Sequence, residues 1–217
     1  MDRIASLIDH TNLKPDASEI DIKNLCLQAI KYDFFSVCVN PIYVPQAVAI
    51  LKSEKPTVCT VIGFPLGADF PEIKSAETQT LRNIGAQEFD MVVNIGAIKN
   101  GNYNITKTEI SNVVNAAKGA CVKVIIETCL LTKNEIIKVC NIAKNSGATF
   151  VKTSTGYSHA GATAENVTIM KEVVGEKIGI KASGGIKTMF QIQSMLDAGA
   201  SRIGTSAGVS IMNNYRI

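Results

Sequence analysis

Tryptophan is absent from this 217-residue chain, histidine occurs only twice, and aromatic residues make up 6%. Two histidines exclude a His-rich metal site. With so few aromatics, the core must be built from small and aliphatic side chains, as layered parallel sheets prefer. None of the six cysteines, Cys26, Cys38, Cys59, Cys121, Cys129 and Cys140, forms a C-x-x-C pair. Most sit in apolar runs, and a disulfide framework is not expected in a chain this large and aliphatic. The 22 basic and 19 acidic residues are dispersed and sum to +3, with no basic block to suit nucleic acid or a membrane surface. Met1-Asp2-Arg3-Ile4 opens no signal-type apolar run, and no apolar stretch reaches membrane-spanning length. A soluble, cytoplasmic enzyme-sized domain is expected. The fingerprint G-x-G-x-x-G is missing after the first strand candidate, which argues against dinucleotide binding.

Short apolar runs alternate with longer amphipathic stretches. Eight strand candidates fall at residues 6–9, 35–39, 57–63, 89–94, 123–127, 150–153, 178–182 and 202–204. Helical periodicity marks residues 18–32, with Ile22, Leu25, Cys26, Ala29 and Ile30 on one face. It also marks 132–147, with Thr132 and Glu135 spaced as a capping box, and 189–199. Eight βα units without a linker predict α/β class, a single (β/α)8 barrel spanning residues 1–217.

In such a barrel the chemistry sits at the C-terminal ends of the strands. The unusual polar residues cluster there: Asp9, Thr11, Cys38, Asp90, Asn94, Glu127, Lys152, Lys181 and Ser206. Strand parity sends Phe89, Met91 and Val93 to the helices and Glu88, Asp90, Val92 and Asn94 into the barrel. The same parity puts Lys152 and Lys181 inside, with Gly179 leaving room beneath Lys181. These lysines end adjacent strands, where two ammonium groups disfavour each other and burial disfavours both. One is expected to lose its proton and become a nucleophile for carbonyl carbon. Asp90 can then shuttle protons; alternatively it only neutralises a lysine, and each lysine taken alone can be a structural ion pair. Lys123, four residues below Glu127 on its strand, reads as a structural partner. Ser183-Gly184-Gly185 and Gly204-Thr205-Ser206-Ala207-Gly208 follow the last two strands, where barrels hold phosphate on backbone N–H groups. Thr155-Gly156 adds a further donor. His10 either orients Asp9 or is packed, His159 is solvated, and Cys38 reads as a core thiol near the pocket.

Several segments in this order resemble the deoxyribose-phosphate aldolase family: Ile8-Asp9-His10-Thr11, Val37-Cys38-Val39, Val61-Ile62-Gly63-Phe64-Pro65, Glu88-Phe89-Asp90-Met91-Val92, Lys123-Val124-Ile125-Ile126-Glu127-Thr128, Phe150-Val151-Lys152-Thr153-Ser154-Thr155-Gly156, Lys181-Ala182-Ser183-Gly184-Gly185 and Arg202-Ile203-Gly204-Thr205-Ser206. The resemblance covers nearly the whole chain. It implies a metal-free, cofactor-free class I aldolase cleaving 2-deoxy-D-ribose 5-phosphate to D-glyceraldehyde 3-phosphate and acetaldehyde, and it suggests a homodimer. It also implies that Lys152 forms the Schiff base and that Asp90 and Lys181 relay protons through water. Gly156, Gly184, Gly185 and Ser206 would hold phosphate, and Asp9, Thr11 and Cys38 would line the pocket. Ala207, Lys187 and Tyr157 depart from residues some members carry, which bears on phosphate affinity. Tyr215 is a candidate counterpart of a C-terminal tyrosine that some members use in proton transfer. Two rivals remain: a transaldolase-like or ketose-bisphosphate aldolase, which transfers dihydroxyacetone, and a non-catalytic phosphosugar-binding barrel.

Overall fold

The β-branched and aliphatic runs form eight parallel strands that close on one another in chain order: β1 (Ile8–Asn12), β2 (Ser36–Val39), β3 (Thr57–Ile62), β4 (Glu88–Val92), β5 (Cys121–Ile125), β6 (Phe150–Lys152), β7 (Gly179–Ser183) and β8 (Arg202–Thr205). The structure is a computed structural model and describes residues 4–215. Helices α1 (Glu19–Tyr32), α2 (Val44–Leu51), α3 (Pro71–Ile84), α4 (Ile95–Lys99), α5 (Tyr103–Ala117), α6 (Lys133–Asn145), α7 (Ala164–Val174), α8 (Met189–Asp197) and α9 (Gly208–Tyr215) occupy the connections. The architecture is the predicted (β/α)8 barrel.

Parity sorts the core into two parts. Outward residues such as Phe89, Met91, Val124, Val151, Ile180 and Ile203 are buried against the helices. Inside the barrel a small apolar group of Leu13, Cys38, Cys59 and Val61 fills one side. Charged residues fill the other. Helix starts follow local chemistry: Ser18, Thr132 and Thr188 each cap a helix with a reciprocal capping box, to Asp21, Glu135 and Gln191. Buried Lys74 on α3 ties the outer layer together. Its Nζ donates to Glu109 of α5 at 2.5 Å and to the carbonyls of Gly67 and Val92, each at 2.8 Å.

Several strand limits differ from the sequence reading. Ser6 lies in a 3-10 turn, and β1 begins two residues later. Strand β4 ends at Val92, because Asn94 turns its Oδ1 to the amide of Ala97 and caps α4 at 2.9 Å. Strand β5 ends at Ile125, and Glu127 takes a left-handed conformation with φ 50°. Gly179 leaves no room for Lys181: a Cβ there would lie 2.2 Å from the Phe150 ring, which fills the space. The space Lys181 needs is opened at Gly204, where a Cβ would lie 2.9 Å from Lys181 Cε.

Candidate active site

Strands β4 and β5 place Asp90 beside Lys123, and β6 and β7 place Lys152 directly beside Lys181. The Asp90 carboxylate is fully buried and serves all three lysines. Its Oδ2 accepts from Lys152 and from Lys181, each at 2.7 Å, and its Oδ1 accepts from Lys123 at 2.8 Å. The Cys59 thiol donates to Oδ1 as well, at 3.2 Å. Burial pushes the Asp90 carboxyl up, but the ammonium groups of Lys123, Lys152 and Lys181 outweigh it and hold the group well below the usual range.

The other cations are anchored by further carboxylates. Lys123 lies 2.6 Å from Glu88 and 3.9 Å from Asp9 Oδ2. Lys181 pairs with Asp9 Oδ2, and Arg202 reaches Asp9 Oδ1 at 2.9 Å and Glu88 at 3.4 Å. The Arg202 guanidinium also stacks on the Phe35 ring, 3.3 Å from its centroid. Burial alone would lower Lys181, but Asp9 and Asp90 hold it well above its ordinary value. Lys181 is therefore kept charged. The two neighbouring amines expected to repel each other are bridged by the Asp90 carboxylate, which accepts from both.

A cavity of about 520 Å3 opens over this cluster, a size suited to a small ligand. Of Asp90, Lys152 and Lys181, only Lys152 reaches its wall. The rest of the wall includes Thr11, Thr155, Gly156, Gly184, Gly185 and Ser206, in the region where the sequence placed an anion. Gly156, Gly184 and Gly185 have φ of 87°, 87° and 77°, which a side chain would oppose. Asp9 and Cys38 do not line this wall; both are fully buried beneath it, Asp9 among the cations and Cys38 against Cys59 and Val61. Thr11 turns its hydroxyl onto the Asp9 carbonyl at 2.9 Å. Departing residues Tyr157 and Lys187 also line the wall. His10 is packed: its Nε2 meets Gln28 Oε1 at 2.8 Å and its ring lies 4.9 Å from Phe34. His159 is exposed. The Tyr215 side chain lies outside the described part of the structure.

Two contributions escaped the sequence reading. In the sequence Arg202 reads only as a strand start, although an arginine two residues before inward Gly204 carries the parity signal. In the sequence Glu127 reads as an inward strand residue. Its carboxylate instead takes the amide of Thr155 at 3.2 Å and the Thr155 hydroxyl, fixing the turn that follows Lys152. Thr155 Oγ1 accepts in turn from the amide of Tyr157 at 3.0 Å. The Tyr157 hydroxyl donates to the Leu13 carbonyl at 2.6 Å, across the cavity mouth.

The sequence profile of DeoC/LacD family aldolases matches residues 3–215. A deoxyribose-phosphate aldolase of Geobacillus sp. (strain WCH70) is 53% identical over 210 residues, covering 96% of this chain and 94% of that protein. One of Thermococcus gammatolerans is 54% identical over 217 residues, covering 98% and 96%. The tetrameric deoxyribose phosphate aldolase structure from Aeropyrum pernix superposes with a TM-score of 0.91 at 34% identity, covering 98% of this chain and 91% of that one. Match length, identity and fold agree: the chain belongs to the DeoC/LacD family of aldolases.

Proposed function

We propose that this protein is a Schiff-base aldolase that reversibly cleaves 2-deoxy-D-ribose 5-phosphate to D-glyceraldehyde 3-phosphate and acetaldehyde, in deoxyribonucleoside catabolism. The observation that carries this reading is the position of Lys152. It is the one amine of the buried cluster on the cavity wall, in the same cavity as glycine loops suited to a phosphate.

The chemistry follows from the geometry. The Lys152 ammonium, which donates to Asp90 Oδ2 at 2.7 Å, releases a proton to cavity water, and the free amine attacks the open-chain aldehyde carbon. Loss of water leaves an iminium that draws electrons from the C2–C3 bond. Asp90 and Lys181 lie behind Lys152, off the cavity wall, so a water relays the C3 hydroxyl proton to the Asp90 carboxylate, which charged Lys181 holds in place. That proton leaves, C3 becomes the aldehyde of glyceraldehyde 3-phosphate, and the C2–C3 electrons form an enamine. Protonation at C2 and hydrolysis release acetaldehyde and regenerate the amine. The phosphate, bound by the loops of Gly156, Gly184, Gly185 and Ser206, supplies binding energy remote from the reacting bond.

The same reading makes residues 1–217 one catalytic domain, cytoplasmic and assembled as a homodimer. The Aeropyrum relative is described as a tetramer, so light scattering of the purified protein decides the subunit number.

The direct test is borohydride trapping with acetaldehyde, followed by peptide mass mapping. A reduced two-carbon adduct on Lys152 is expected. The same adduct on Lys181 reverses the two roles. No adduct from folded protein discards the Schiff base in favour of a binding barrel, and transfer of dihydroxyacetone instead of acetaldehyde favours the transaldolase-like alternative.

A further inference from the structure

Six charges inside the barrel close into a ring. Contacts run from Glu88 to Lys123, to Asp90 Oδ1, through Oδ2 to Lys181, to Asp9 Oδ2, through Oδ1 to Arg202, and back to Glu88. Signs alternate at every step, so three cations meet three carboxylates and the ring sums to zero. Lys152 hangs on this ring from outside. Among the described residues its only carboxylate partner is Asp90, whose Oδ2 it shares with Lys181. It is thus a fourth cation on three carboxylates. Glu88 and Arg202 open β4 and β8, at the end of the barrel away from the cavity, and neither reaches the cavity wall. The proposed reaction gives them no step.

We propose that Glu88 and Arg202 are positioning residues whose opposite charges keep the ring neutral and thereby set the pH at which Lys152 becomes a nucleophile. The inference rests on the assignment of Lys152 above and extends it to two residues that make and break no bond. Its physical basis is Coulombic. Removing the Glu88 charge leaves a ring of net +1, which disfavours a further proton on Lys152. Removing the Arg202 charge leaves net −1, which favours one.

Other groups near Lys152 do not vary in this comparison. Asp90 meets it from β4, Lys181 shares that carboxylate from β7, and Lys123 on β5 and Asp9 on β1 lie one contact further; all four remain in every variant. The thiols of Cys38 and Cys59 come from β2 and β3, and burial drives the Cys59 thiol well above its usual range. Glu127, past the end of β5, is engaged with Thr155.

The test measures the rate of reductive trapping of acetaldehyde on Lys152, by mass mapping, across a pH series. The parent, Glu88→Gln, Arg202→Met and the double variant are compared. Glu88→Gln is expected to move the midpoint to lower pH and Arg202→Met to higher pH. Each shift is about one unit, roughly tenfold in trapping rate at a fixed pH on the rising limb. The double variant leaves two cations against two carboxylates and is expected to return to the parent midpoint. Shifts of opposite sign that cancel are something lost packing does not produce. Unshifted midpoints, shifts in one direction, or a double variant that stays displaced overturn the proposal. If one single variant fails to fold, the other single variant against the double variant still decides it. A parent that forms no Lys152 adduct at any pH is a separate result and overturns the Schiff-base assignment itself.

Discussion

Gly161→Ala probes the contact between the loops that follow β6 and β7. A Cβ on Gly161 would lie 2.1 Å from the Gly184 carbonyl oxygen and 2.4 Å from its carbon. Ordinary contact begins at 3.4 Å, so the loops must part by about 1.3 Å. The amide of Ala162, which donates to the carbonyls of Ser183 and Gly184 at 3.1 Å each, loses that geometry. Gly184 and Gly185, at the proposed phosphate site, are displaced with it. A hydrogen bond to a charged group contributes about 1.5–3 kcal/mol. Losing one lowers kcat/KM for 2-deoxyribose 5-phosphate by about 10- to 150-fold. Lys152 lies at the end of β6, nine residues before the substitution, and its partner Asp90 is on another strand. Acetaldehyde carries no phosphate, so its trapping on Lys152 is expected to stay within about twofold of the parent. Steady-state cleavage and borohydride trapping on the same preparation measure the two effects. The reasoning fails if cleavage is unchanged, or if trapping falls by the same factor as cleavage.

Lys152→Met is expected to abolish turnover and the acetaldehyde adduct without lowering the denaturant midpoint, because it removes the surplus buried cation; a midpoint far below the parent's refutes the charge count. Asp90→Asn leaves four cations with two carboxylates and is expected to cost about 3–5 kcal/mol at neutral pH. Because the folded Asp90 carboxyl titrates below its unfolded value, its contribution is present above the unfolded value and is lost as pH falls through the folded one. The stability gap between parent and Asp90→Asn should therefore narrow below about pH 4 in denaturant titrations; a constant gap contradicts the assignment. Lys74→Met strands buried Glu109 and is expected to cost about 3–5 kcal/mol, most of it recovered in the Lys74→Met/Glu109→Leu double variant. Urea midpoints of the two variants check this.

Much of the barrel was legible because its signals are local. Period-2 alternation in Glu88-Phe89-Asp90-Met91-Val92 separates the helix-facing residues from Asp90 without knowledge of any neighbour. Thr132 and Glu135 announce their helix within four residues. Errors arose where a side chain is claimed by a partner distant in sequence. Asn94 and Glu127 look like inward strand residues, but one caps α4 and the other holds Thr155, so each strand stops short. The family resemblance implies Asp9 and Cys38 on the pocket wall. They lie one layer beneath it, because the inward side chains of β1 and β2 meet Lys181, Arg202 and Cys59 before they reach the cavity.

The sequence by itself determined the order of the strands, the inward face of each, and the presence of Lys152, Lys181 and Asp90 on those faces. Propensity, capping and alternation act over a few residues, so they can be read from a few residues. Only the closed barrel decided which inward residues share a layer. Strand tilt and stagger bring Glu88, Lys123, Asp9 and Arg202, spread across 115 residues from Glu88 to Arg202 and farther to Asp9, into one ring of contacts. That closure, which gives every cation but Lys152 at least two carboxylates, is a property of the tertiary structure, because charge balance in a buried space is a sum over all the groups enclosed there.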